Sequence, residues 1–187
     1  MASDIVSLEL VLDPGTETRI RSEWAALAEA GLSSLGAHTA PSNRPHITVM
    51  VRAAIGPLER AELEPLLSLP IPIELGGLLL FGAGDRRVLA RSVVVSEHLL
   101  RAHRALHAVV GPGADAPHTR PGEWSPHVTL ARRLRADSLP EALRALDEVG
   151  ATEVPHGALV SPTKGSSGSV IGLRRWDAAS ATVTMLL

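Results

Sequence analysis

The chain has 187 residues, of which 45% are apolar, with a net charge of −2 and no Cys. This length can bury one good core or two small lobes. The composition excludes a disordered chain, disulfides, thiolate catalysis, Cys-ligated zinc and any global pull towards nucleic acid or an anionic membrane.

Residues Ile5 to Leu12 alternate as a first strand, and Pro14 to Leu35 reads as a helix with Ile20, Trp24, Leu27 and Gly31 on one face and Gly36 ending it. A loop over His38–Asn43 leads to a strand over Arg44–Arg52. Pro57–Leu67 reads as a second helix with Pro in its first turn. Ile71–Phe81 and Arg86–Val95 are strands joined by the turn Gly82–Asp85. Ser96 caps a helix running to Val110, with Glu97 in its first turn. The Gly- and Pro-rich stretch Gly111–Trp124 is loop, and Ser125–Arg133 is strand. Next come a helix over Asp137–Val149, a strand over Thr152–Val160, a flexible loop over Ser161–Gly168, and strands over Val170–Arg175 and Thr182–Leu187. Helices and strands mix without strict alternation, which predicts an α+β fold of mainly antiparallel sheet.

Pro45-His46-Ile47-Thr48-Val49 and Pro126-His127-Val128-Thr129-Leu130 spell one pattern twice. Composition alone predicts about 0.03 copies of Pro-His-x-Thr in such a chain, so the repeat is not accidental. In a strand alternate side chains share a face, which puts each His and its Thr on the same side. The two His are 81 positions apart, and that offset also aligns Pro57 with Ser138, Leu58 with Leu139, Ile73 with Val154, Gly76 with Gly157 and Leu78 with Leu159. The chain is a diverged internal duplication. It predicts a single bilobal domain over 1–187, with repeats at about 44–81 and 125–162. The two pseudo-symmetric lobes have helices outside, and a central cleft carries both His-x-Thr strands.

The chemistry such a cleft supports is phosphodiester hydrolysis without a metal. Opening a 2′,3′-cyclic phosphate needs one group to take a proton from water and another to give one to the departing ribose oxygen. Imidazole suits both roles, since its pKa sits near working pH. Thr48 and Thr129 can each donate a hydroxyl to the phosphoryl oxygens that gain charge. Of 18 basic residues 17 are Arg, and one or two of Arg132, Arg44, Arg52 and Arg120 are expected to touch phosphate. Arg44 and Arg52 are in phase with His46 in a regular strand. Arg132, five after His127, is out of phase unless a bulge brings it back. Trp124 either packs against a base or sugar or serves the core.

Other sites are weaker. His103 and His107 have the i, i+4 spacing of metal ligands but lack the Glu of the zinc-protease motif, and a satisfied buried pair is the better reading. Lys164, in SPTKGSSG, lacks the Lys-x-Asp-Gly context of an adenylated ligase Lys, and that loop is not a phosphate-binding P-loop. No Gly-x-Ser-x-Gly turn is present. His118 and His156 have no evident partner. With no Tyr, one Phe and three Trp, extensive base stacking is not expected. The N-terminus lacks a basic stretch followed by an apolar core, and no apolar run is long enough for a bilayer. No cofactor, no metal and no membrane are expected; a cytoplasmic monomer is.

At the duplicated His-x-Thr the chain resembles the two-histidine (2H) phosphoesterases, in particular the bacterial 2′-5′ RNA ligase and RNA 2′,3′-cyclic phosphodiesterase branch. Pro126-His127-Val128-Thr129-Leu130-Ala131-Arg132 is similar to that branch's second motif. The resemblance implies hydrolysis of 2′,3′-cyclic phosphates at RNA ends to a 2′-phosphate, with weak 2′-5′ joining in reverse. It places catalytic roles on His46, Thr48, His127 and Thr129 and a phosphate role on Arg132. The alternatives are the same reaction on a small nucleotide, such as an ADP-ribose cyclic phosphate, and a non-catalytic RNA-binding module on the same scaffold.

Overall fold

Seven strands and four helices succeed one another in the computed structural model, which describes residues 5–152 and 166–187. The strands are β1 (Val6–Leu12), β2 (His46–Arg52), β3 (Ile71–Phe81), β4 (Arg86–Val93), β5 (His127–Arg135), β6 (Ser166–Asp177) and β7 (Thr182–Met185). The helices are α1 (Pro14–Glu29), α2 (Arg60–Leu63), α3 (Glu97–Val110) and α4 (Leu139–Thr152). None is long and apolar enough to cross a membrane among the described residues.

Every strand pairing is antiparallel, in the order β2-β1-β6-β3-β4-β5, with β7 on the outer part of β6. That order is symmetric about the β6–β3 junction. β2 and β5, which carry the two Pro-His-x-Thr segments, end the path on opposite sides and pack against each other. β1 and β4 sit next to them, and β6 holds the place in one lobe that β3 holds in the other. β3, which follows β2 in sequence, thus sits beside β4 and β5, and β6, which follows β5, sits beside β1 and β2, which knits the halves through one antiparallel sheet.

Local chemistry sets the helix ends. Asp13 caps α1, accepting from the Thr16 backbone N–H at 3.0 Å and its hydroxyl at 2.6 Å, and it also accepts from Ser169 N–H at 2.6 Å. One carboxylate therefore starts the helix and ties it to β6. A side chain at Gly168 would collide with the Thr16 hydroxyl, so this approach requires glycine. The helix is shorter than its periodicity predicts. It stops at Glu29 because Gly31 turns left-handed at φ +71° and Leu32 N–H closes onto the Leu27 carbonyl. Gly36 instead lies in a short 3-10 turn.

The second predicted helix shrinks to one turn. Pro65 has no N–H to continue the ladder, and Glu59, whose backbone N–H donates to Glu62, starts it late. Both motif strands begin at their His, and the second runs on to Arg135. The predicted strand ending at Val95 closes at Val93. α4 extends to Thr152 after a 3-10 turn over Ala136–Ser138, so Thr152 is helical; the rest of the strand predicted to Val160 lies outside the described residues. Of the predicted loop Ser161–Gly168, residues 166–168 belong to β6 and the remainder lies outside the described residues.

β1 is buried along its whole length. Leu8, Leu10 and Leu12 enter the core with Ile20, Trp24 and Leu27 of α1 and Ile47 and Met50 of β2. Ser7 and Glu9 lie on the opposite face of β1, and they too are buried. A carboxylate buried in a central strand is costly unless paired. Its partners lie at the site.

Candidate active site

Both motif strands carry the same irregularity. In β2 the register against β1 shifts between Leu8–Met50 and Glu9–Thr48, leaving Val49 as an extra residue. In β5 the register against β4 shifts between Ala90–Thr129 and Leu89–Ala131, leaving Leu130 extra. Each is a one-residue bulge directly after the motif Thr, and a bulge reverses the phase of the residues beyond it. The burial pattern records it: two successive buried residues, Val49-Met50 and Leu130-Ala131, come after Thr48 and Thr129.

The phase change sorts the arginines. Arg132 comes round to the face of His127 and Thr129, and its charge reaches both His127 and His46. The corresponding place in β2 is held by Val51, opposite Ser7. Arg52, expected beside His46, lies on the other face and is buried, bonding Asp115 at 2.7 and 3.1 Å and the Gly111 carbonyl at 2.9 Å. The structure does not bring it to the His pair. Arg44 is half-exposed and forked onto Glu17, with a closest contact of 2.5 Å. Arg120 is on the surface, bonded to the Asp115 carbonyl at 3.2 Å and facing Glu123. Trp124 is packed inward, stacked on His103 with centroids 4.1 Å apart and donating to the Thr48 carbonyl at 2.9 Å.

The two imidazoles are held in the same way. His46 Nδ1 meets the Arg44 carbonyl at 2.7 Å, and His127 Nδ1 meets the Ser125 carbonyl at 2.6 Å. A carbonyl only accepts, so each Nδ1 carries the proton and each Nε2 is left for chemistry. Both rings are pulled below the ordinary histidine range, chiefly by burial. At His127 the Ser125 carbonyl opposes that pull, while His118, His46 and Arg132 add to it. At His46 the Glu9 carboxylate opposes it most strongly.

Beyond that shared mount the surroundings differ. His46 Nε2 is 3.4 Å from Glu9 Oε1, and Glu9 accepts from Ser7 at 2.7 Å and Arg174 Nε at 2.8 Å. Arg174 is buried, donates to the Ser42 carbonyl and brings a guanidinium nitrogen to 3.2 Å from His46 Nδ1. That last contact is not a hydrogen bond, because both nitrogens carry hydrogen. In the other lobe the register puts Ala90 where Glu9 stands, Val88 where Ser7 stands and Leu79 where Arg174 stands. His127 instead faces the Phe81 ring at 4.6 Å and the exposed His118 ring at 6.3 Å.

Sequence reading missed Glu9, Arg174, Phe81 and His118. Ser7 and Glu9 do alternate with leucines in VSLELVL, but that pattern reads as an ordinary solvent face. His103 and His107 are buried, and each directs Nε2 to a carbonyl, of Thr119 at 3.0 Å and Val49 at 3.4 Å. They are satisfied interior histidines.

A family model described as the 2′-5′ RNA ligase superfamily matches residues 16–160, well over half the chain and both bulged strands. The chain belongs to the 2′-5′ RNA ligase superfamily. Membership supports a phosphodiesterase-type enzyme in general terms and agrees with the resemblance carried by the motifs. Among solved structures, Usb1 of Kluyveromyces marxianus is 17% identical, with 99% of this chain and 98% of that chain covered and a TM-score of 0.49. The structure of that Usb1 with uridine monophosphate is 14% identical, with 98% of each chain covered and a TM-score of 0.48. No curated protein matches the chain.

Proposed function

We propose that this member of the superfamily hydrolyses 2′,3′-cyclic phosphates at RNA ends without a metal, leaving a 2′-phosphate, with weak 2′-5′ joining in the reverse direction. The observation that carries the reading is the pair of matched bulged strands, each presenting an Nδ1-anchored imidazole and a Thr on the cleft face, with Arg132 charge reaching both rings.

In this mechanism the phosphoryl group lies between the two rings. His127 Nε2 takes a proton from water as the water oxygen bonds to phosphorus in line. The bond from phosphorus to the ribose 3′-oxygen breaks on the far side, and His46 Nε2 protonates that oxygen. The Thr48 and Thr129 hydroxyls and Arg132 hold the equatorial oxygens as charge builds there. The difference between the lobes supports this division. A carboxylate 3.4 Å from His46 Nε2 favours its protonated form, against the burial and the Arg174 and Arg132 charges that lower it, whereas His127 has Ala90 in the corresponding place and faces the Phe81 ring, so it has no such carboxylate to hold a proton on it.

Phosphorus NMR in EDTA tests the reading on a 2′,3′-cyclic mononucleotide and a cyclic-ended oligonucleotide. A new monoester signal with wild type and none with His127→Ala is expected, and its shift distinguishes 2′ from 3′ product. Both compounds remaining intact with wild type would overturn the reading in favour of a binding module.

A further inference from the structure

On the cleft face of the first lobe, the row that holds Glu9 and Arg174 continues past Arg174 onto β7. The register places Thr48, Glu9, Arg174 and Met185 side by side across four strands, and Val51, Ser7, Trp176 and Val183 in the neighbouring row. Trp176, Val183 and Met185 are therefore on the same side of the sheet as His46. They line a groove of about 620 Å³ whose inner wall is Arg174 and whose rim is Arg44 and Ser42. Met185 is 54% exposed, and among the described residues no second ring stacks on Trp176. The same register makes Trp176 the counterpart of Phe81, but Phe81 is turned onto His127 while Trp176 is left to the groove.

We infer that this groove is a nucleoside subsite, with the base of the nucleotide preceding the cyclic end stacked on Trp176. The inference rests on the proposed reaction and names its substrate class as a cyclic-ended oligonucleotide, not a free cyclic mononucleotide. Three observations select this occupant. The groove is continuous with the site through Arg174, which reaches both His46 and the groove. It lies on the His46 side, where the departing ribose oxygen sits in the proposed mechanism. Along that row two inter-strand steps, about 10 Å, separate Thr48 from Arg174, a distance that carries the chain past the terminal ribose to the next unit. An aromatic face flanked by apolar side chains takes a base of any sequence. The Arg44 guanidinium at the rim, held in place by Glu17 and half-exposed, is a charged group that the linking phosphate can meet.

The test compares kcat/KM on a cyclic-ended dinucleotide and a 2′,3′-cyclic mononucleotide for wild type, Trp176→Leu and Trp176→Phe. Wild type should favour the dinucleotide, and Trp176→Leu should lower the ratio of the two by about tenfold. Trp176→Phe, which keeps a ring, should recover most of it. A wild-type ratio near one, or a ratio unchanged in Trp176→Leu, overturns the subsite. Should wild type cleave neither compound, the cyclic phosphodiesterase reading fails separately. Calorimetry with an unreactive dinucleotide and a mononucleotide then decides the subsite. Tighter dinucleotide binding that Trp176→Leu removes supports it, and equal affinities overturn it.

Discussion

The indole N–H of Trp124 donates to the backbone carbonyl of Thr48 at 2.9 Å. Trp24 makes the same bond to the Thr129 carbonyl at 3.0 Å. These two Trp are not repeat partners, since one is in α1 and the other in the loop before β5. Both nonetheless meet the same need. Each supplies a side-chain donor to the carbonyl of a motif Thr on an end strand, and a buried carbonyl without a donor is costly.

Trp124→Phe keeps the stack on His103 and removes only the donor. It should cost about 1–3 kcal/mol of stability and lower activity several-fold by loosening Thr48. Urea denaturation beside a kinetic assay reads both, and a variant as stable as wild type would show that the Thr48 carbonyl finds another donor.

His46→Ala and His127→Ala should each lower kcat/KM by about 10²- to 10⁴-fold, with EDTA changing nothing in wild type. Wild-type rates in either variant would remove that ring from the chemistry.

Arg132 and Arg52 should separate function from stability. Arg132→Met is expected to lose about 10²-fold in activity or more with little change in melting. Arg52→Met leaves the buried Asp115 carboxylate without its cation and should lose about 3–5 kcal/mol of stability. The reverse pattern would place Arg52, not Arg132, on the cleft face.

Glu9→Gln removes the carboxylate that favours protonated His46. The His46 pKa then falls, the proton donor is lost at lower pH, and the alkaline limb of the pH–rate profile should move down. The acid limb, set by His127, should stay. A shift confined to the acid limb would exchange the two roles.

His103 is held down to about 4, chiefly by burial. In the unfolded chain an imidazole titrates near 6.5, so between these values the unfolded state binds more protons and stability rises with pH. This contribution is complete above the unfolded value and is lost on acidification at about 1.4 kcal/mol per pH unit. Urea denaturation at about pH 7.5 and pH 5 should show a smaller acid loss in His103→Gln than in wild type. Equal losses would place the acid sensitivity at other groups.

The chain by itself determined the repeated Pro-His-x-Thr strands, their shared offset, the α+β class and most of the elements, because side-chain period and caps are local properties. His46, Thr48, His127 and Thr129 needed nothing more than alternation along a strand. The tertiary structure alone decided which arginine turns towards them. Phase after the motif depends on a bulge, and a bulge exists only relative to the neighbouring strand's register. It also decided what makes the two histidines different. Glu9 and Arg174 are 165 residues apart in sequence, and only the pairing of β6 with β1 sets them side by side beneath His46. A repeat read from sequence is symmetric, and the long-range pairing of β6 with β1 breaks the symmetry.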